Sequence, residues 1–243
     1  MILLLFLGIF VLAFLLGSIP WGVIISKVFY HKDIRSVGSG NIGTTNAMRA
    51  MGKVGGCAVF VLDFGKGVLA GFLGALLATQ TLNADVAGCA SVLSATSFGL
   101  VSYEGSAVNA AFVSLATSVA FLGCILGHVF SPWLKFKGGK GIAVAAGCLL
   151  AVFGLPGFLI EIAAFAILVF ATRYVSAGSL AAAVICPVVA LFCCDGNPLA
   201  WLCCLAGAVV VIWAHRGNIS RLRQGCERRI GESKSADSEE VKA

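Results

Sequence analysis

The chain has 243 residues, of which 59% carry apolar side chains and only 12% are charged, with a formal net charge of +6. A soluble globular domain carries about 25% charged residues, so this composition excludes a water-soluble enzyme, a disordered chain and a small secreted domain. The ten cysteines stand mostly inside apolar runs and lack metal-ligand spacing, so we expect small buried side chains and no metal site. The sequence therefore predicts an all-α polytopic membrane protein.

Several apolar stretches are long enough to cross the roughly 30 Å hydrocarbon core of a bilayer. They are 2–26, 54–80, 105–134, 141–172, 174–194 and 196–214. The apolar start has no basic segment before it, which predicts a retained helix and not a cleaved signal peptide. The stretch 84–103 is diluted by serine and threonine, and we expect it to form an outer-face hairpin within an insertion at 79–106. The stretch 141–172 is interrupted by Pro156 and Gly157, where we expect the chain to turn and cross back.

The 17 basic residues are confined to a few segments: 27–53, Lys66, 135–140, Arg173 and 216–242. Positive charge stays on the cytoplasmic side of a membrane, so these loops and the C-terminus are predicted to be cytoplasmic and the N-terminus outside. Because the basic loops lie on the same side, an even number of crossings must separate one from the next. The predicted total is seven transmembrane helices. Residues 1–230 form one membrane domain with three polar cytoplasmic motif loops, and we expect the polar tail 231–243 to be disordered.

The first cytoplasmic loop spans residues 33–49 and contains three glycines that let a ligand approach the backbone closely. Arg35 and Arg49 offer guanidinium groups suited to a phosphate. The neutral donors of this loop are Ser39, Asn41, Thr44, Thr45 and Asn46. The loop lacks the ending of a nucleotide-binding P-loop, which favours a phosphate ester over ATP. The alternative is a flexible loop whose arginines only reflect the positive-inside rule.

The second loop spans 127–141 and ends in Gly138, Gly139, Lys140 and Gly141, directly before an apolar helix. Backbone amides at a helix N-terminus and a lysine together form an anion site, so these four residues are candidate phosphate ligands. The alternative is a basic cluster that meets anionic lipid headgroups.

The third segment, 213–227, follows the last apolar stretch. His215 stands there beside several cations, and its ordinary pKa near 6.5 suits proton transfer; the alternative is a structural interfacial histidine. Glu227 lies between arginines and is interpreted as a brace. Within the membrane, Asp63 and Lys66 are three residues apart, so we expect them to pair on one helix face.

With these loops in view, the chain resembles the bacterial acyl-phosphate:glycerol-3-phosphate acyltransferases, the PlsY-type membrane enzymes. The resemblance covers most of the chain, from about Gly17 to Ile230. The motifs that carry it are Gly17-Ser-Ile-Pro20, 38–46 with Arg49, Asp63 with Lys66, Gly127-His128, 136–141, Arg173 to Ser176 with Ser179, and 215–219 with Glu227. It implies transfer of a fatty acyl group from acyl phosphate to the 1-hydroxyl of glycerol 3-phosphate, giving lysophosphatidate and phosphate.

The resemblance also implies roles for individual residues. Ser39 and Arg49 would hold one phosphate with help from Asn41 and Thr45, and Lys140 would hold the other and stabilise charge on the leaving group. His215 and Asn218 would orient the acceptor, with either His215 or the acyl phosphate's own oxygens taking the proton. Ser179 would be a further donor. No cofactor is implied because acyl phosphate is already activated.

The implied partners are the two substrates and membrane lipid, with no nucleic acid. The enzyme would act in the bacterial inner membrane with its active site on the cytoplasmic face, after an enzyme that forms acyl phosphate and before a lysophosphatidate acyltransferase. The competing hypothesis is a membrane transporter of a phosphate ester.

Overall fold

The structure, a computed structural model, describes residues 2–84 and 107–232. All regular structure in these two ranges is helical, as predicted. The helices are α1 (Ile2–Ser18), α2 (Trp21–Tyr30), α3 (Thr44–Ala84), α4 (Ala107–Val129), α5 (Ile142–Thr172), α6 (Val175–Cys193), α7 (Pro198–Ala214) and α8 (Arg216–Arg223). Residues 85–106, which contain nearly all of the expected outer-face hairpin, and the tail from residue 233 onward lie outside the described residues.

The apolar helices match the predicted membrane stretches. Among the described residues, five helical stretches are long and apolar enough to cross a membrane, and the bent pair of α7 and α8 makes a sixth. The predicted stretch 2–26 corresponds to α1 followed by α2, which the Ile19-Pro20 break separates. Their sidedness and the total of seven crossings stay predictions.

Helix α5 turns back on itself, but not where the sequence suggested. A continuous helix of 31 residues would be about 46 Å long. Lys140, just before α5, nevertheless lies within the electrostatic influence of Glu227, while Ser176, just after α5, donates a hydrogen bond to that same carboxylate over 2.8 Å. The two arms of α5 therefore end on the same side of the bundle.

The turn falls at Gly154, two residues before the expected Pro156-Gly157. Gly154 adopts φ 62° and ψ −175°, a conformation that proline, fixed near φ −65°, cannot take. Pro156 instead stands in the first turn of the returning arm, where its missing N–H costs little. The six stretches and this second arm of α5 together make seven apolar helical segments.

Glycines let the helix backbones approach one another closely. Gly123 and Gly127 of α4 face α1, and a Cβ at Gly127 would overlap the carbonyl oxygen of Phe14. Gly67 of α3 faces the carbonyl oxygen of Val144 in α5 in the same way. Small residues four apart are a usual means of helix association in membranes, where apolar packing against lipid gives little driving force.

The break between α1 and α2 is tied to the second loop, 127–141. Ser131 donates its hydroxyl to the carbonyl oxygen of Ser18 over 2.7 Å, and the indole N–H of Trp133 donates to the Ser18 hydroxyl over 2.8 Å. These bonds place the loop after α4 beside the start of α2.

The α1–α4 contact generates the first testable prediction. We expect Gly127→Ala to lower the melting temperature in detergent, because its Cβ forces α1 away from α4 at a cost of about 1–3 kcal/mol. The matched control is Gly8→Ala on α1, which meets nothing within 4 Å. Equal melting temperatures for the two variants would contradict the close-packing interpretation.

Candidate active site

The first cytoplasmic loop is held in shape by a buried asparagine. The side-chain amide of Asn46 donates to the carbonyl oxygens of Ile34, Val37 and Asn41 at 2.8–3.0 Å. Its Oδ1 accepts the backbone N–H of Ser39 over 2.9 Å. A Cβ at Gly38 would overlap this same oxygen, and Gly38 has φ +61°. The sequence named Asn46 only as one donor among several, whereas the structure makes it the organiser of the loop.

The predicted ligands of this loop are placed differently from one another. Ser39 and Asn41 line a cavity, although the Asn41 side chain also accepts the N–H of Gly43 over 2.9 Å. Thr45 is exposed and does not line that cavity. Arg35 is bound to the Asp33 carboxylate through two hydrogen bonds of 2.9 and 2.6 Å. Of the two expected arginines, Arg49 is therefore the better placed for a ligand.

The second loop differs from expectation in the use of its amides. Gly138 and Gly139 donate their N–H groups to the carbonyl oxygens of Val129 and His128, each over 3.0 Å, at the end of α4. These two amides are thus engaged within the protein and do not point to a phosphate. Gly141 adopts φ +84° as the N-cap of α5, so the loop leads directly into that helix N-terminus.

Lys140 lies at this helix N-terminus and is partly buried. Burial lowers the pKa of Lys140 to about 8; the charge of Glu227 raises this pKa, while those of Arg221 and Arg49 lower it. Residues of all three predicted motif segments therefore lie close enough to influence one another electrostatically.

Glu227 is the brace that the sequence suggested, with more partners than expected. Its Oε1 accepts hydrogen bonds from Asn218 Nδ2 over 2.6 Å and from Ser176 Oγ over 2.8 Å, and its Oε2 accepts from Arg221 Nε over 2.6 Å. Burial raises the pKa of Glu227, but these hydrogen bonds outweigh it and leave the pKa below its usual value. The carboxylate is therefore ionised at neutral pH.

Two of these partners had no role assigned from the sequence. Arg221 stands three residues after Asn218 on α8, so helical spacing was the available signal for their shared contact. Ser176 could not be connected to Glu227 by sequence, because the two are 51 residues apart. Ser179, which was expected to be a donor in the pocket, is buried and donates to the carbonyl oxygen of Val175 over 2.9 Å.

His215 is buried between α7 and α8 with a defined tautomer. Its Nδ1 lies 2.8 Å from the carbonyl oxygen of Val211. Because a carbonyl only accepts, Nδ1 carries the proton and Nε2 keeps a lone pair. Burial lowers the pKa of His215 to about 4, so the ring is neutral at pH 7. A neutral imidazole with an available Nε2 is the form that a general base requires.

Asp63 and Lys66 pair as expected, with 2.8 Å between Oδ1 and Nζ. The Lys66 ammonium also donates to the carbonyl oxygen of Ile19 over 2.7 Å and approaches His128 Nδ1 at 3.1 Å. All three side chains are buried beneath the second loop. Their position supports the loop from below.

A cavity of about 320 Å³ opens where the three segments meet. Polar and apolar residues both line it: Ser39–Asn41, Val129, Phe130, Phe136–Gly139, Trp213, Ala214 and Arg216. Arg49, Lys140 and Glu227 do not line it but belong to the adjoining charge cluster. Polar lining residues, apolar lining residues and nearby cations suit an amphiphilic molecule that carries a phosphate.

The family model for glycerol-3-phosphate acyltransferase matches residues 7–225. Glycerol-3-phosphate acyltransferase 2 of Lactobacillus acidophilus is 37% identical over 227 residues, which are 93% of this chain and 90% of the relative. Glycerol-3-phosphate acyltransferase of Rhodopseudomonas palustris (strain BisB5) is 37% identical over 92% of this chain and 95% of the relative.

Solved structures agree with the sequence relatives. A crystal structure of PlsY (YgiH), an integral membrane glycerol 3-phosphate acyltransferase in its glycerol 3-phosphate form, is similar with a TM-score of 0.71 and 31% identity, over 93% of this chain and 96% of that one. Its lysophosphatidic acid form gives a TM-score of 0.68 at the same identity, over 93% and 95%. The resemblance read from the motifs is thereby confirmed, and the chain belongs to the glycerol-3-phosphate acyltransferase family, whose members are integral membrane acyltransferases of the PlsY type.

Proposed function

We propose that this protein transfers a fatty acyl group from acyl phosphate to the 1-hydroxyl of glycerol 3-phosphate, giving lysophosphatidate and inorganic phosphate. The observation that carries the proposal is the convergence of Arg49, Lys140 and Arg221 on the Glu227 carboxylate, beside a cavity that polar and apolar residues line together. The related PlsY structures are described as glycerol 3-phosphate and lysophosphatidic acid forms, which supports the acceptor and the product.

The cations and the helix N-terminus account for recognition of two phosphates. Ser39 and Arg49, with Asn41 and Thr45 nearby on the loop, hold one phosphate. Lys140 and the first amides of α5 hold the other and stabilise the charge that develops on the leaving phosphate. Gly138 and Gly139 contribute by letting the loop pack closely, since their own amides are engaged. The acyl chain extends past Phe130 and Trp213 into the bilayer.

The transfer needs a base and an oriented hydroxyl. The 1-hydroxyl oxygen attacks the acyl carbonyl carbon, the carbon–oxygen bond to phosphate breaks, and the hydroxyl proton passes to His215 Nε2 or to an oxygen of the acyl phosphate. Asn218 Nδ2 donates a hydrogen bond to Glu227. The Oδ1 atom of Asn218 is then oriented to accept a hydrogen bond from a hydroxyl group of glycerol 3-phosphate. Because acyl phosphate is a mixed anhydride whose phosphate is already a good leaving group, the reaction needs no cofactor.

We place the protein in the cytoplasmic membrane of a bacterium with its site facing the cytoplasm. The basic segments that surround the site are those that the positive-inside rule assigns to that face. An enzyme that forms acyl phosphate would supply the donor, and a lysophosphatidate acyltransferase would consume the product.

The primary test is phosphate release from palmitoyl phosphate by the detergent-purified protein, with and without glycerol 3-phosphate. We expect acceptor-dependent release that falls on the order of 100- to 1,000-fold in Lys140→Ala and about 10- to 100-fold in Ser39→Ala. The matched control is Lys135→Ala, an exposed lysine of the same segment that does not line the cavity. A folded protein without acceptor-dependent release would overturn the acyltransfer proposal and direct attention to uptake of phosphate esters into vesicles.

Lys140 also predicts the alkaline limit of the reaction. Its ammonium binds phosphate only when protonated, and its pKa is lowered to about 8. We therefore expect kcat/KM, which reports ionisation in the free enzyme, to fall as the pH rises through about 8. In Lys140→Arg the guanidinium stays charged, so whatever activity remains should lack this limb. If kcat/KM of Lys140→Arg still fell at the same pH, that fall would belong to the titration of another group.

The charge of Glu227 should affect the pH at which kcat/KM falls on the alkaline side. Its negative charge raises the pKa of Lys140, so removing the charge in Glu227→Gln should shift the limb to lower pH as well as reduce activity. Glu232→Gln is the control, because that carboxylate accepts from the Arg229 N–H and is not among the charges that act on Lys140. A limb that stays in place in Glu227→Gln would contradict the electrostatic link.

A further inference from the structure

The loop that presents Lys140 is packed directly on a buried histidine. Gly139 lies against the His128 imidazole so closely that a Cβ there would overlap Nε2. Gly138 lies against the same residue in a different way, because its Cβ would overlap the backbone carbonyl oxygen of His128. The His128 side chain therefore supports Gly139. The carbonyl oxygens of Val129 and His128 accept the backbone N–H groups of Gly138 and Gly139, respectively.

The imidazole is held in one orientation by the buried ion pair. Lys66 Nζ lies 3.1 Å from His128 Nδ1, 2.8 Å from Asp63 Oδ1 and 2.7 Å from the carbonyl oxygen of Ile19. An ammonium group has only donors, so Nδ1 must accept and the ring proton sits on Nε2. The three partners of Lys66 lie in the break between α1 and α2, in α3 and in α4, and the ring therefore has little freedom to rotate.

We propose that His128, oriented by Lys66 and Asp63, is a positioning residue. Its imidazole fixes the position of the Gly138–Gly139 backbone and thereby that of Lys140. This inference rests on the proposed function, in which Lys140 stabilises the leaving phosphate. Lys140 follows Gly139 immediately in the chain, so a movement of the loop transfers directly to its backbone. Displacements of about 1 Å at a catalytic group cost up to about 100-fold in rate.

The buried ion pair serves this purpose better than it serves stability. A buried pair costs desolvation that its Coulomb attraction barely offsets, and apolar side chains of similar volume often stabilise a fold as well or better. The contacts of Lys66 with the Ile19 carbonyl oxygen and with His128 Nδ1 are directional, in contrast, and specify one position for the imidazole, which apolar packing alone does not do. We therefore expect the double variant Asp63→Leu/Lys66→Met, which leaves no buried charge unpaired, to lower kcat about tenfold or more, with the KM for glycerol 3-phosphate nearly unchanged.

A double-mutant cycle between His128 and Gly139 tests the proposal. Gly139→Ala should lower kcat about 100-fold, because its Cβ collides with the imidazole and lifts the loop. His128→Ala should lower kcat about tenfold on its own and open the space that the new Cβ needs. In the His128→Ala background, Gly139→Ala should then cost less than about threefold.

Gly138→Ala is the matched control, because its clash is with a backbone oxygen that His128→Ala leaves in place. Its cost should therefore be the same in both backgrounds. Additive effects of Gly139→Ala and His128→Ala on kcat would overturn the proposal. So would a smaller loss of kcat from Gly138→Ala in the His128→Ala background than in the unmodified protein. His128→Asn, which keeps an acceptor for Lys66 but has no atom at the Nε2 position, replaces His128→Ala if the latter does not fold.

The parent protein separates failure of this inference from failure of the proposed function. If the unmodified protein releases no acceptor-dependent phosphate, the proposed function fails, and the same cycle read in melting temperatures then tests the contact alone. If the unmodified protein is active and the cycle is additive, only the positioning role fails. A loss of kcat in Asp63→Leu/Lys66→Met at an unchanged melting temperature supports positioning over a purely structural role.

Discussion

The carboxylate of Glu227 connects parts of the chain that are far apart in sequence. It accepts hydrogen bonds from Ser176 at the start of α6 and from Asn218 and Arg221 on α8, and its charge acts on Lys140 before α5. It is one of several polar contacts that hold α8 and the following segment against the α5–α6 junction. The junction itself is closed by Arg173, whose carbonyl accepts the N–H of Ile230 and whose Nη2 donates to the Ile230 carbonyl.

Glu227 also balances the charge of the site without cancelling it. Arg49, Lys140 and Arg221 face one carboxylate, so the cluster keeps an excess of positive charge that a phosphate dianion can neutralise. Partial burial strengthens the attraction of Lys140 for phosphate but also favours its neutral form, and the carboxylate offsets part of that cost. Because Glu227 is itself held by three hydrogen bonds, it is not free to fold over Lys140 and occupy the place of a phosphate.

Sequence patterns were sufficient for the class of fold and for finding the three polar segments that lie together in the structure, because hydropathy and charge depend on composition alone. They were also sufficient for the Asp63–Lys66 pair, since helical spacing makes residues three apart neighbours. They misplaced the turn of α5 because Pro-Gly is the stronger turn signal, whereas the backbone at this point needs a positive φ, which only Gly154 of the nearby residues supplies.

The candidate site shows where such reasoning stops. A glycine-rich loop before a helix predicts free amides, but tertiary contacts decide whether an amide has another partner, and Gly138 and Gly139 donate to α4. Likewise, Asn46 and Ser176 act through partners 7 and 51 residues away, which no local pattern reports. Residue types indicated the chemistry of the site, and packing determined which residues carry it.

The residues that line the cavity suit the proposed reaction at a membrane surface. A lipid donor resides in the bilayer and a phosphorylated acceptor in water, so a shared site must border both. Trp213 marks this border, because its ring packs against Phe130 at 5.4 Å between centroids and beneath the Arg216 guanidinium at 4.0 Å. Aromatic rings are favoured at such interfaces since one face meets apolar groups and the other a cation. Under the proposed function, the apolar end of α7 and the basic start of α8 would bring the two substrate classes together without removing the acyl chain from the membrane.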